Sequence, residues 1–129
     1  MTDSTAPSTV LTHRRRDGEI EVLLVGRLDL SCVGRLRDAV LLASHETTNY
    51  VAVEASRVTA VDGVGLRTLI ACRRLATALG VQMVIVRPSA PLFTRLASTG
   101  LLRTFRVSGR HSTPDRGVPL SSRRAAAGR

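Results

Sequence analysis

Lysine and tryptophan are absent from this 129-residue chain, and Tyr50, Phe93 and Phe105 are its only aromatic residues. With so few rings, a core has to be built from Val, Leu, Ile and Ala, which suits a sheet covered by helices. The basic C-terminal stretch has no aromatics on which bases could stack. Any nucleic-acid affinity there would be salt-sensitive and independent of sequence. Cysteine is scarce too. Cys32 and Cys72 are not in a metal-binding spacing such as C-x-x-C. Each falls in a helical or helix-starting stretch, where cysteine is usually a small buried hydrophobe, and a reducing cytosol is the natural compartment. No apolar run approaches the ~18 residues needed to span a bilayer. Met1 to Thr9 is polar and lacks the apolar run of a signal peptide. The expected location is the cytoplasm.

Signatures of catalysis are missing as well. There is no H-E-x-x-H, no G-x-S-x-G and no phosphate-binding G-x-x-x-x-G-K loop. His13, His45 and His111 have no acidic or cysteine partner nearby in sequence and read as surface residues. Asp29 and Asp62 each follow an apolar stretch and could form a carboxylate pair for acid/base work. One capping residue plus one turn residue is the stronger reading. Nothing points to a metal or a cofactor, and the chain reads as a binding protein, not an enzyme.

What is present is arginine. All nineteen basic residues are Arg, and the formal net charge is +9. Residues 103–129 hold seven of them against Asp115 alone, so +6 of the excess lies in the last 27 residues. Residues 19–102 carry nine Arg against seven acids and are nearly balanced. A solvated basic terminus is the simplest account of this asymmetry.

The pattern along the chain predicts one domain. Residues 1–8 are Thr/Ser/Pro-rich and expected to be disordered. A first edge strand is predicted over Val10–His13, with a turn at Asp17-Gly18. Glu19–Val25 alternates and then becomes continuously apolar, which predicts a strand whose far end is buried on both faces. Gly26-Arg27-Leu28-Asp29 closes it. A helix begins at Ser31 or Cys32 with Val33, Leu36, Val40 and Ala43 inward. A loop over His45–Asn49 and a strand over Tyr50–Ala55 follow. The second helix, about Gly63 to Leu79, has the stripe Leu66, Leu69, Ile70, Cys72, Ala76 and Leu79, with Gly80 as its stop. Val81–Val86 is a strand. Ala90–Ser98 is a helix with Leu92, Phe93, Leu96 and Ala97 inward, and Leu102–Val107 is a last strand. Residues 108–129 form a basic tail expected to be disordered. Strands alternating with helices give an α/β fold with a mixed, mostly parallel sheet. The strand ends after which Asp29 and Asp62 come should share one rim, where such sheets place their working sites.

The stretch around which this order is arranged is Val58-Thr-Ala-Val-Asp62-Gly63-Val64-Gly65-Leu66. Asp62 reads as the N-cap of the second helix, accepting hydrogen bonds from its free first-turn N–H groups. Gly63 and Gly65 leave that turn without bulk, so another molecule could approach the backbone.

Several blocks together resemble the STAS domain of bacterial anti-sigma factor antagonists, which also occurs in sulphate transporter tails and some lipid-transport systems. They are Gly26-Arg-Leu-Asp29, the Ser/Cys helix start with Leu36, Val53 through Leu66, Val84-Ile-Val-Arg-Pro-Ser89 and Leu96-Ala-Ser-Thr-Gly-Leu101. The resemblance covers about residues 9–107. It implies a small mixed sheet with helices mainly on one face and a role in binding partners. In the antagonists the corner usually reads Asp-Ser-Ser/Thr-Gly-Leu, and its second hydroxyl residue is phosphorylated by a partner anti-sigma factor that is also a serine kinase-like protein. Here Asp62 and Gly65-Leu66 match, but Gly63 and Val64 replace the two hydroxyl residues. Val64 stands at the acceptor position and cannot be phosphorylated. The final amphipathic helix of the family is replaced by the broken, arginine-rich tail.

The resemblance therefore implies an anti-sigma factor antagonist that docks through Asp29, Asp62, Gly63, Val64, Gly65 and Arg67, without a phosphorylation switch at the usual corner. Thr59, Thr113, Ser121 and Ser122 are candidate alternative acceptors, against which unmodified polar loop residues are the stronger reading. The other reading is a non-catalytic accessory STAS subunit of a transport or stress-response complex.

Overall fold

Along Ile20–Val25, buried and half-buried residues alternate: Ile20, Val22 and Leu24 lie in the core, and Glu21, Leu23 and Val25 between them do not. This is the period-two pattern of a strand with one face on a core. The computed structural model describes residues 8–47 and 49–108. The elements are β1 (Thr9–Arg14), β2 (Ile20–Leu28), a 3-10 turn (Leu30–Cys32), α1 (Val33–Glu46), β3 (Tyr50–Val61), α2 (Gly63–Ala78), β4 (Gln82–Val86), α3 (Ala90–Ser98) and β5 (Arg106–Ser108). The five strands form one sheet in the order β1-β2-β3-β4-β5. β1 runs antiparallel to β2, and the other three pairs are parallel. The expected mixed, mostly parallel sheet is therefore the one found.

Register places Ile20 beside Val51, Val22 beside Val53, and Val53 beside Ile85, so these residues share a face. The buried side chains of all three helices join that face in a single core: Leu36, Val40 and Ala43 from α1, Leu66, Leu69, Cys72 and Ala76 from α2, Leu92 and Leu96 from α3. Each of the leucines and the valine among them, fully removed from water, contributes roughly 1.5–3 kcal/mol. The opposite face carries Leu11, Leu23, Val25, Ala52, Val84 and Val86 outside this core. The apolar run at the end of β2 is thus buried on one face, not both, because the helices all lie on the same side.

Several boundaries depart from the sequence reading. β3 is twice the expected length, continuing through Ser56, Arg57 and Thr59 to Val61. β2 continues to Leu28 alongside it, through a register shift at which Gly26 has φ +98°. Backbone pairing with β2 holds this mostly polar extension in the sheet, and Val58 and Val61 anchor it to the core. α1 runs through His45 and Glu46, so the expected loop is shorter. Leu79 and Ala97, expected inward, are exposed. Leu79 lies one residue past the end of α2, where Gly80 turns the chain with φ +79°. Ser8 and Ser108, grouped by composition with the two termini, are part of the domain. Ser8 is buried, and Ser108 pairs with Val86 at the end of the sheet. The rest of the expected disordered N-terminus and basic tail lies outside the described residues.

Candidate docking corner

β2 and β3 end level with each other, Leu28 beside Val61, and both chains turn there into helices. Each turn begins with an aspartate in extended conformation, but one opens a 3-10 turn and the other an α-helix. Asp29, in extended conformation, accepts a hydrogen bond from the Ser31 N–H at 2.9 Å and caps the 3-10 turn that leads into α1. Asp62, also extended, accepts from the Gly65 N–H at 2.8 Å and caps α2. Each satisfies a first-turn donor that would otherwise lack a partner.

Gly65 joins the two turns. A Cβ there would lie 1.9 Å from the Leu28 carbonyl oxygen, closer than any real contact. The Asp62 N–H donates to the same carbonyl at 3.3 Å. The room that Gly65 leaves is therefore taken by this chain's own β2 and is not open to another molecule. Gly63 differs: a Cβ there would meet only Arg67 Nη1, at 3.5 Å. Arg67 is exposed and lies over the start of α2, beside the corner as expected. Val64 is half-buried, and its carbonyl accepts the Thr68 hydroxyl at 2.8 Å. Asp29, Asp62, Gly63, Val64, Gly65 and Arg67 are thus brought to one rim. Thr59 is exposed but stands on β3, three residues before Asp62, and not in a loop.

The carboxylates are caps. The Ser31 hydroxyl, donating to Asp29 Oδ1 at 2.6 Å, pulls the Asp29 carboxyl below its ordinary value, helped by the Ser31 N–H and by Arg27. Arg27 Nε lies 3.4 Å from Asp29 Oδ2. A general acid requires the opposite shift. Among the described residues, no group of three or more His, Cys, Asp or Glu is placed to hold a metal.

Composition alone did not disclose four participants. Leu30, beside Asp29, is 73% exposed, an apolar side chain standing out from the rim. Ser31 is exposed. Arg35 donates from Nη1 to the Ser8 carbonyl at 2.5 Å and from Nη2 to the Ser31 carbonyl at 3.0 Å. Ser8 in turn hydrogen-bonds the Arg27 carbonyl, which ties the start of β1 to the same rim. The available signal was Asp29 followed two places on by Ser31, a pairing that closes a turn on itself.

A family model described as Mlab, STAS domain matches residues 11–111. The chain belongs to the STAS-domain family. Solved structures agree on the fold. An anti-sigma factor antagonist from Mycobacterium paratuberculosis is 21% identical, with a TM-score of 0.66 over 83% of this chain and 87% of that one. The anti-sigma factor antagonist SpoIIAA in its unphosphorylated form is 16% identical, with a TM-score of 0.63 over 78% of this chain and 88% of that one. SpoIIAA, a Bacillus cell fate determinant, is also solved in its phosphorylated form. The murine anion transporter Slc26a9 is 16% identical with a TM-score of 0.58, and the match spans 75% of this chain but 19% of the transporter. No curated protein matches the chain. Among the described residues of this STAS domain, no helix is long and apolar enough to cross a membrane.

Proposed function

We propose that this STAS domain is an anti-sigma factor antagonist. It docks on an anti-sigma factor, a serine kinase-like protein, in the cytoplasm and so frees a sigma factor. It acts by binding and not by catalysis. The observation that supports this reading is the corner itself: Asp62 caps α2, and Val64, where the resemblance puts the acceptor, is half-buried beside it. Geometry suited to docking is kept without a hydroxyl to modify. Val64 and the exposed Leu30 supply apolar anchors, ringed by Asp29, Asp62, Gly63 and Arg67, the arrangement in which a few buried contacts dominate an interface. Asp62 uses one carboxylate oxygen for its cap bond, and its exposed carboxylate can still accept from a donor on a partner.

The test is binding of the purified chain to the anti-sigma factors encoded in the same genome. Binding to one of them is expected, and Val64→Glu, which puts a negative charge at the acceptor position, should weaken it at least ~10-fold. Binding to none of them overturns the reading. Binding that Val64→Glu leaves unchanged moves the interface away from this corner.

The second reading is a non-catalytic accessory subunit of a transport or stress-response complex. The family model's description as Mlab and the likeness to a domain-sized part of Slc26a9 favour it. Co-purification with a transporter subunit, with no anti-sigma factor bound, would decide for it.

A further inference from the structure

We infer that α2 presents a basic face to an acidic protein surface, extending the docking corner along the helix. This rests on the docking reading above and names the chemistry of the partner. Between Gly63 and Ser108 the chain has seven arginines and no acidic residue. Three of the seven, Arg67, Arg73 and Arg74, are on α2, and none has an Asp or Glu three or four places away. A helix face that only meets water is usually laced with such oppositely charged pairs. The helix dipole does not account for these arginines either. None falls in the last turn of α2, where a cation would meet the negative end.

The surface is continuous. Arg67 stands at the corner, beside Gly63. Arg74 is exposed on the same side of the helix, two turns on and about 10 Å further along. Arg73 donates from Nε to the Thr104 carbonyl at 3.0 Å, which brings the exposed Arg103 to one flank. On the other flank, burial raises the Cys72 thiol and the Arg37 guanidinium of α1 works against that rise, so Arg37 stands beside α2. Among the described residues, none of Arg37, Arg67, Arg74 and Arg103 forms an ion pair.

The chain cannot neutralise this face itself. Glu21 pairs with His13 and Arg15, Glu46 with Arg14, and Glu54 with Arg87. Asp17 accepts from the Tyr50 hydroxyl, and Glu19 from the Asn49 amide. Asp29 and Asp62 are caps. That leaves Asp38 among the described acidic residues, and it adjoins Arg37 on α1. A second copy of the chain would therefore set arginine against arginine. Outside the described residues the chain has only Asp3 and Asp115, against five more arginines. The acids have to come from another molecule. Between the guanidinium groups α2 exposes Ala71 and Ala78, and Leu41, one turn from Arg37 on α1, is 37% exposed. Apolar contact flanked by arginine is the make-up of a protein interface, whereas a nucleic-acid backbone is bound mainly through charge. The occupant that fits is a protein face whose carboxylates take Arg67 and Arg74 in two-pronged pairs and whose apolar atoms run from Val64 onto Ala71.

Affinity of the full-length protein for the anti-sigma factor is measured at low and high salt, with a random-sequence DNA duplex as a parallel ligand. Arg74→Glu should bind the anti-sigma factor at least ~10-fold more weakly at low salt, and Arg74→Lys, which keeps the charge, within ~3-fold of wild type. The deficit of Arg74→Glu should shrink at high salt. Arg103→Glu, off the helix, should act in the same direction and repeats the test should Arg74→Glu fail to fold. Undiminished binding by both charge reversals overturns the proposal. So does weakened DNA binding with anti-sigma factor binding unchanged, which would assign the face to nucleic acid. If Val64→Glu loses binding and the arginine variants do not, docking at the corner stands and the basic face falls. If the arginine variants lose binding and Val64→Glu does not, the basic face stands and the corner falls. If no anti-sigma factor binds, the docking reading falls and takes this proposal with it.

Discussion

Gly63 and Gly65 look alike in the sequence and do opposite things. Both give the first turn of α2 a low profile, but only Gly65 is fixed by its surroundings, since a methyl there would drive into the Leu28 carbonyl oxygen at 1.9 Å. Backbone cannot yield as a flexible side chain can. Gly65→Ala should therefore destabilise the domain by about 3 kcal/mol or more, at or above the upper end of ordinary overpacking. Gly63→Ala adds a methyl that meets only the tip of Arg67, and alanine is the better helix former, so this variant should be neutral or up to ~1 kcal/mol more stable. Urea unfolding of the two variants checks the contrast. A Gly65→Ala variant as stable as wild type would mean that β2 and α2 do not meet as closely as described. Residue type at the corner was legible in the sequence, since a cap at Asp62 follows from its place before an apolar stripe. Which glycine was structural was not, because that depends on Leu28, 37 positions earlier in the chain.

The helices were legible because their punctuation is local. Asp62 and Gly80 bracket α2 at the expected places, the one with a cap bond and the other with a left-handed turn, and Ser89 and Gly100 bracket α3 in the same way. Strand length was less legible. The polar residues Ser56, Arg57 and Thr59 interrupt the apolar pattern of β3, and pairing with β2 together with the inward Val58 keeps this stretch extended. The stripes were read one residue too wide at Leu79 and Ala97, where the helix ends or turns away from the core. Where stripe and structure agree, the chemistry can be checked. Cys72 lies fully buried in the core, and burial pushes its thiol up to about 12. Cys32, at the head of α1, is buried as well, and its thiol is raised chiefly by the same cause. Thiolate is the reactive form, so at pH 8 both should resist alkylation while α1 and α2 stay packed. Mass spectrometry after brief iodoacetamide treatment should show almost no labelling of the native protein and two labels in urea. Rapid labelling of the native protein at Cys32 would show that the rim opens readily, and at Cys72 that α2 does.

At the scale of the molecule, structure and charge are divided along the chain. Among the described residues, every core side chain lies between Ile20 and Phe105, and Phe105 is fully buried just before the short edge strand β5. Residues 109–129 hold five Arg against Asp115, about half of the net charge of +9. We propose that residues 8–108 are the folding unit, one residue more at each end than the sequence pattern predicts, and that the basic tail adds charge without adding to the core. Composition separated the two, because only the domain carries the periodic apolar pattern that a core requires. A chain ending at Ser108 should then unfold within ~4 °C of the full-length protein, the shift that about 1 kcal/mol produces in a domain of this size. On the docking reading proposed above, it should bind the anti-sigma factor as the full chain does, because the proposed corner lies at the C-terminal ends of β2 and β3. It should also elute from heparin or DNA at clearly lower salt, because fewer arginines displace fewer counterions. A large fall in unfolding temperature would place part of the tail in the fold. Loss of anti-sigma factor binding with unchanged stability would make the tail a second contact, working alongside the corner at Asp62.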